Sequence, residues 1–197
     1  MPQIVTHEKR LLGTGEDIAL FLEAMNEAGE KLGPLLFQFP FFRREDFASA
    51  EPFLERLATV LASLPNDRRF AVEIRNKAWV NEPLLALLRK HGVAFALIDY
   101  PGMPSISQLF QGPDPITAGF TYVRWLGDRH GIEAKTDTWE KLIVDREAEM
   151  ERWVPALASI LERNIEVFGF FNNHYAGHAP GSIALLRDVW RRFHPPG

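Results

Sequence analysis

The chain has 197 residues, a formal net charge of -4 and no cysteine. That length accommodates one sizeable core, and the lack of thiols excludes disulfides, thiolate metal sites and a cysteine nucleophile, which suits a reducing cytoplasm. The basic pairs (Arg43-Arg44, Arg68-Arg69, Arg191-Arg192) are scattered among acids, which argues against a nucleic-acid partner, and no apolar run is long enough to span a bilayer.

In chain order, residues 15–31 read as a helix, with Ile18, Phe21, Leu22 and Met25 on one stripe. "GPLLFQFP" (33–40) follows as a strand bounded by Gly and Pro. Residues 45–63 repeat their apolar positions at three and four and read as a helix. "RFAVEIR" (69–75) is a strand, 81–91 a helix, and "VAFALID" (93–99) a strand. The Pro- and Gly-bearing stretch 100–118 reads as a long loop. "FTYVRWL" (120–126) is a strand, and a polar loop then runs to about residue 138. A helix over 139–162 is expected to be interrupted near Pro155. The strand around "VFGFF" comes next, and a last helix runs from Pro180 to Phe193. Strands alternating with helices imply right-handed crossovers and a parallel sheet, and the spacing continues through every loop, so one domain over 1–197 is expected.

Each strand is apolar through its body and polar at its C-terminal end. Gln38 ends the first, Glu73 and Arg75 the second, Asp99 the third, Arg124 the fourth, and Asn172 and Asn173 the fifth. In a parallel sheet those ends lie on one side, where ligands of α/β proteins bind. Glu73 and Arg75 are two apart and share a face, which in a barrel is the lumen. The plain alternative is a set of acids and arginines that neutralise one another as a structural plug.

The motifs "GPLLFQFP", "AVEIRNKAW", "YVRWLG" and "FFNNHYAGHAP" resemble the YecE-like family, domain of unknown function 72, in order and over essentially the whole chain. The resemblance implies an α/β fold of the TIM-type (β/α)8 barrel and names no activity. The family's early "GTSGW"-like and "VEINSTFY"-like motifs are absent here, and "PQIVTHEKRL" matches the segment after the third strand. The resemblance therefore implies a truncated barrel of about five parallel strands, equivalent to strands four to eight. Exposed sheet edges in such a fragment would promote self-association.

Several chemistries fit these residues. Glu73 and Asp99, on strands about 4.8 Å apart, suit a general acid and base, with a divalent cation between them as a secondary option. Arg75 and Arg124 suit a phosphate or carboxylate clamp, or serve as counter-ions to the acids. His174 and His178 have the spacing of zinc ligands on a helix, but Gly177 and Pro180 make that stretch a loop, so no metal site is expected. Gly177, His178 and Ala179, ahead of a helix N-terminus, suit anion binding instead. Trp79, Tyr100 and Trp125 lie near strand ends, where stacking on a ligand competes with ordinary core packing. No dinucleotide fingerprint is present and no cofactor is expected. The expected function is hydrolysis or isomerisation of a small anionic molecule, by Glu73 and Asp99, with Gln38, Arg75, Arg124, Asn172, Asn173, His174, Gly177 and His178 binding it. A non-catalytic ligand- or nucleic-acid-binding protein, or an inactive fragment, is the alternative.

Overall fold

The computed structural model describes residues 1–194. Five strands alternate with helices in an α/β fold, and every described strand pairing is parallel. The described residues form two compact units, the first of residues 1–96 with 116–119 and the second of 97–115 with those from 120 onward.

In the first unit, β1 (Leu35–Gln38) pairs with β2 (Phe70–Glu73) so that Gln38 lies beside Glu73, and β2 pairs with the start of β3 (Ala94–Asp99). Every residue of β2 is buried, the pattern of a parallel strand covered on both faces. Helix α1 (Gly15–Met25) ends six residues short of the expected boundary. A tight 3-10 segment follows it, in which Gly29 has a positive φ that no continuing helix adopts. Helix α2 (Ala50–Ser63) starts five residues later than its periodicity suggests, because residues 43–47 close a turn in which Arg43 accepts from the Asp46 and Phe47 amides. Its stripe of Phe53, Leu57, Val60 and Leu61 is buried. Helix α3 (Glu82–Lys90) is capped by the Asn81 side chain, carries Pro83 in its first turn and ends in Arg89 and Lys90, as the helix dipole favours. Thr117 joins the unit by accepting from the Phe95 amide at 2.8 Å and donating to the Val93 carbonyl at 2.6 Å.

In the second unit, β4 (Phe120–Trp125) and β5 (Glu166–Phe171) pair along their whole length. The expected loops each contain a short helix, α4 (Ile106–Phe110) with a Ser105–Gln108 capping box, and α5 (Arg129–Glu133). Helix α6 (Glu147–Glu162) starts late but is not interrupted at Pro155. Met150, Trp153, Val154, Leu157 and Ile160 bury its other face, so packing holds the helix through the hydrogen bond that proline removes. Helix α7 (Ala179–Phe193) closes the unit. No helix among the described residues is long and apolar enough to cross a membrane.

An aromatic cluster anchors the first unit. Phe53 meets Phe39 edge-on at 5.0 Å and stacks near Trp79 at 5.2 Å, with Phe42 and Phe47 within 5.8 Å. Trp79, a candidate stacking platform, is thus engaged by core partners. Truncating Phe53, which is 1% exposed, removes the ring they share. Phe53→Ala is expected to lower unfolding free energy by about 3–5 kcal/mol and Phe53→Leu by roughly 1.5 kcal/mol or less, read from urea midpoints.

Candidate functional site

The strand ends of the first unit are tied to their own chain. Gln38 donates to the Phe39 carbonyl at 2.8 Å. Glu73, fully buried at the end of β2, is gripped by Arg75, whose Nε and Nη2 lie 2.7 and 2.5 Å from Oε1. Arg75 lies beyond the strand proper. This is the counter-ion arrangement: a buried carboxylate held by a guanidinium fork. One residue further, the Asn76 amide accepts from the Phe42 N–H at 2.9 Å and donates to the Phe42 carbonyl at 2.8 Å, pinning the loop after β1 to the loop after β2.

The second unit gathers its polar groups around Asp99. The Asp99 carbonyl accepts the Leu126 and Gly127 amides at 3.0 and 3.1 Å, so the ends of β3 and β4 are joined there. Its carboxylate Oδ2 accepts the Trp153 indole N–H of α6 at 3.1 Å and the Tyr175 hydroxyl at 3.2 Å. Neither partner is one of the arginines the sequence suggests. A strand-end side chain meets the helix and turn that cover it, and those supply an indole and a phenol. Oδ1 carries no partner among the described residues. Burial, then the charge of Asp99, pushes the Tyr175 hydroxyl well above the usual tyrosine range, so Tyr175 is a neutral donor. Arg146, just ahead of α6, donates to the Tyr175 carbonyl at 3.0 Å, lies over its ring at 5.4 Å and pairs with Glu149 at 3.3 Å.

A cavity of about 290 Å³ opens beside this cluster, walled by the proline-bearing loop after β3 and the start of α6. Asp99, Ser105, Asp128, Arg146, Arg152 and Trp153 line it. Arg152 carries no ion pair or hydrogen bond among the described residues. Its helical neighbours explain why: Ala148, Pro155 and Ala156 offer no acceptor, and Glu149 is engaged by Arg146. Tyr100 also lines the cavity, the one aromatic strand-end candidate to do so.

Of the residues the sequence suggests for catalysis or anion binding, Asp99 alone lines this cavity. Arg124 sits opposite Phe170 on β4, on the face where Tyr122 stacks on Phe170 at 4.7 Å. Trp125 faces the other way, stacked on Phe171 at 4.2 Å and buried in the core. The amides are local caps. Asn172 Oδ1 accepts the His174 backbone N–H at 3.0 Å and lies 2.7 Å from its ring Nδ1, while the ring Nε2 meets Glu133 at 3.1 Å. Arg129, and secondarily His174, hold Glu133 below the usual carboxylate range.

Two of the three backbone donors of the expected anion loop, those of Gly177 and Ala179, are spent internally. Gly177 N–H goes to the Asn173 carbonyl at 2.7 Å, Ala179 N–H to Asn173 Oδ1 at 2.8 Å, and Gly181 N–H to His178 Nδ1 at 3.2 Å. Arg146, Glu149, Arg152, Trp153 and Tyr175 were not singled out from sequence. The available signal was topological: the first turns of a helix that follows a strand lie at that strand's C-terminal end.

The Tyr175 shift has a testable sign. An acid whose folded pKa lies above its unfolded value contributes stability that is complete below the ordinary tyrosine pKa of 10.0 and is lost as pH rises past it. Stability is therefore expected to fall above pH 10.0 with a slope of up to about 1.4 kcal/mol per pH unit from this group. Tyr175→Phe should remove that component, as urea titrations from pH 8 to 11 would show; an unchanged slope would assign it to other groups.

The family model described as "Protein of unknown function DUF72" matches residues 1–195. Among solved structures, a DUF72 family protein from Thermotoga maritima MSB8 is 26% identical, with a TM-score of 0.67 over 98% of this chain and 70% of its own. Two crystal structures of a DUF72 family protein from Enterococcus faecalis V583 share the fold. One is 22% identical with a TM-score of 0.60, over 89% of this chain and 66% of its own, and the other 18% identical with a TM-score of 0.53, over 98% and 70%. No curated protein matches the chain significantly. On the family match over nearly its whole length, the chain belongs to the DUF72 family.

Proposed function

We propose that this protein is an enzyme of hydrolase or isomerase type that acts on a small anionic molecule, a phosphorylated one included, in the cavity at the end of β3. The observation that carries this reading is the division of labour in the second unit. Arg146, Glu149, Tyr175 and Trp153 are bonded to one another or to Asp99, whereas Arg152 and Asp99 Oδ1 have no partner among the described residues. An unengaged guanidinium suits an anionic group of the substrate. A carboxylate oxygen fixed by two donors to its partner oxygen suits proton transfer at the other end of the same cavity. The five strands in parallel pairings, each followed by a helix, support a (β/α)8-type lineage, in which ligands meet the C-terminal strand ends. Glu73, buried under Arg75, suits a structural counter-charge better than the acid/base role its position suggests.

A non-catalytic binding protein is the second reading. It is favoured by the way Asn172, Asn173 and His178 are consumed in local caps, which leaves fewer groups for chemistry.

The test is a thermal-shift screen with inorganic phosphate, sugar phosphates and small carboxylates, followed by NMR detection of turnover for each hit. At least one anion is expected to stabilise the parent and Asp99→Asn but not Arg152→Ala, and Asp99→Asn should lower turnover by about 10²–10⁴-fold. An anion that stabilises Arg152→Ala as well as the parent would show the site to be misplaced. Binding without turnover in the parent would select the second reading.

A further inference from the structure

A second cavity, of about 310 Å³, adjoins the first within the same unit and shares two of its lining residues, Ile106 and Arg152. It runs between α4 and α6. Phe110 lines it from α4, Pro155 and Ala156 line it from α6, and Ser107 and Ser159 add its other polar groups. The two cavities differ in kind. The first holds the carboxylates of Asp99, Asp128 and Glu149 and the arginines, while the second has one charged group, Arg152, at the place where they meet.

Pro155 explains the character of this groove. A proline in the middle of a helix removes a main-chain donor and is tolerated where packing elsewhere holds the helix. The buried stripe of α6 provides that packing, and Pro155 lies on the opposite, exposed face, where with Ala156 it presents a smooth apolar wall to α4. Neither residue gives Arg152 an acceptor, so its guanidinium stands between a polar chamber and an apolar channel.

We infer that the ligand of this site is amphiphilic: an anionic head group held by Arg152, with an unbranched or slender apolar substituent lying along the α4–α6 groove. The inference rests on the anion-binding reading above and narrows it to a class of molecule. A chamber of about 290 Å³ alone sits at the lower limit of small-molecule pockets, whereas the two together fall in their usual range. The shared Arg152 places a negative charge at the mouth of the groove, and the Phe110 and Ile106 side chains contribute the apolar contacts beyond it.

The experiment is a homologous series of probes on the full chain: inorganic phosphate, then ethyl, butyl and hexyl phosphate, with acetate, butanoate and hexanoate to separate phosphate from carboxylate heads. Affinities are measured by calorimetry. In the parent, affinity should rise about three- to fourfold per added methylene while the groove fills. Ala156→Trp and, on the facing helix, Ser107→Trp fill the groove; each should flatten the series and leave inorganic phosphate or acetate binding unchanged. Both lie on exposed or half-buried helix faces, and having two variants keeps the test sound should one fail to fold. Arg152→Ala should weaken every member of the series by a common factor. A flat series in the parent, with the head groups still bound, would overturn this inference and leave the anion site standing. A slope that survives both tryptophan variants would place the apolar contact elsewhere and also overturn it. No binding by any member would overturn both readings.

Discussion

Asp99 is the residue on which the second unit depends. Its backbone and its side chain are both engaged, in different directions. The carbonyl takes the two amides that follow β4, and the carboxylate takes an indole from α6 and a phenol from the turn after β5. One residue thereby fixes three segments that are far apart in sequence. Bonds from neutral donors to a carboxylate are stronger than those between neutral groups, and removing one end leaves a desolvated partner behind. The geometry around Asp99 is therefore specified by polar chemistry rather than by apolar packing alone.

That joint demands close backbone approach nearby. Gly127, two residues past the β4 end, has a positive φ, and a Cβ there would fall 2.4 Å from the His174 carbonyl and 2.5 Å from the Tyr175 Cα. Glycine permits both the backbone conformation and the contact. Without it the turn carrying Tyr175 could not sit against the β4 exit, and the phenol would not reach Asp99. The neighbouring aromatic stack has a cost of its own. Trp125 lies nearly parallel to Phe171, Trp153 meets it edge-on at 5.0 Å, and the buried Trp125 indole N–H has no acceptor among the described residues. The stacked ring area compensates for a donor of this kind only in part, so the ring orientation is set by the strands beneath it.

Much of the architecture was legible in the sequence, and the polar detail was not. Apolar periodicity located all five strands and the long helices, because burial of one stripe or one run is a local property of the chain. Boundaries moved where a local bond outweighed periodicity: the turn at Arg43–Phe47, Gly29 after α1, and the irregular segment before Glu147. The strand-end positions of Glu73, Asp99 and Asn172 were correctly placed, and the Arg75 counter-ion of Glu73 was among the expected alternatives, but the partners of Asp99 and Asn172 were not foreseen. Partner choice depends on which helix residue stands over a given strand end, and sequence spacing says nothing of that. Asn172, Asn173 and His178 showed amides and a histidine at a loop, which fits a ligand rim and a set of backbone caps equally well.

The unengaged state of Arg152 follows from a competition that the helix itself sets up. Glu149 has arginines three residues away on both sides, and either spacing allows an ion pair. An exposed pair on a helix contributes only about 0.3–0.5 kcal/mol, since ordering two long side chains offsets most of the attraction. Arg146 has already been ordered by the Tyr175 carbonyl and ring, so pairing it with Glu149 adds little further entropic cost. Arg152 has no such second anchor and loses Glu149 to it. The same Tyr175 that orients the Asp99 carboxylate therefore also releases Arg152. The proposed acid/base group and the proposed anion anchor are set by one turn, and a shift of that turn would alter both together.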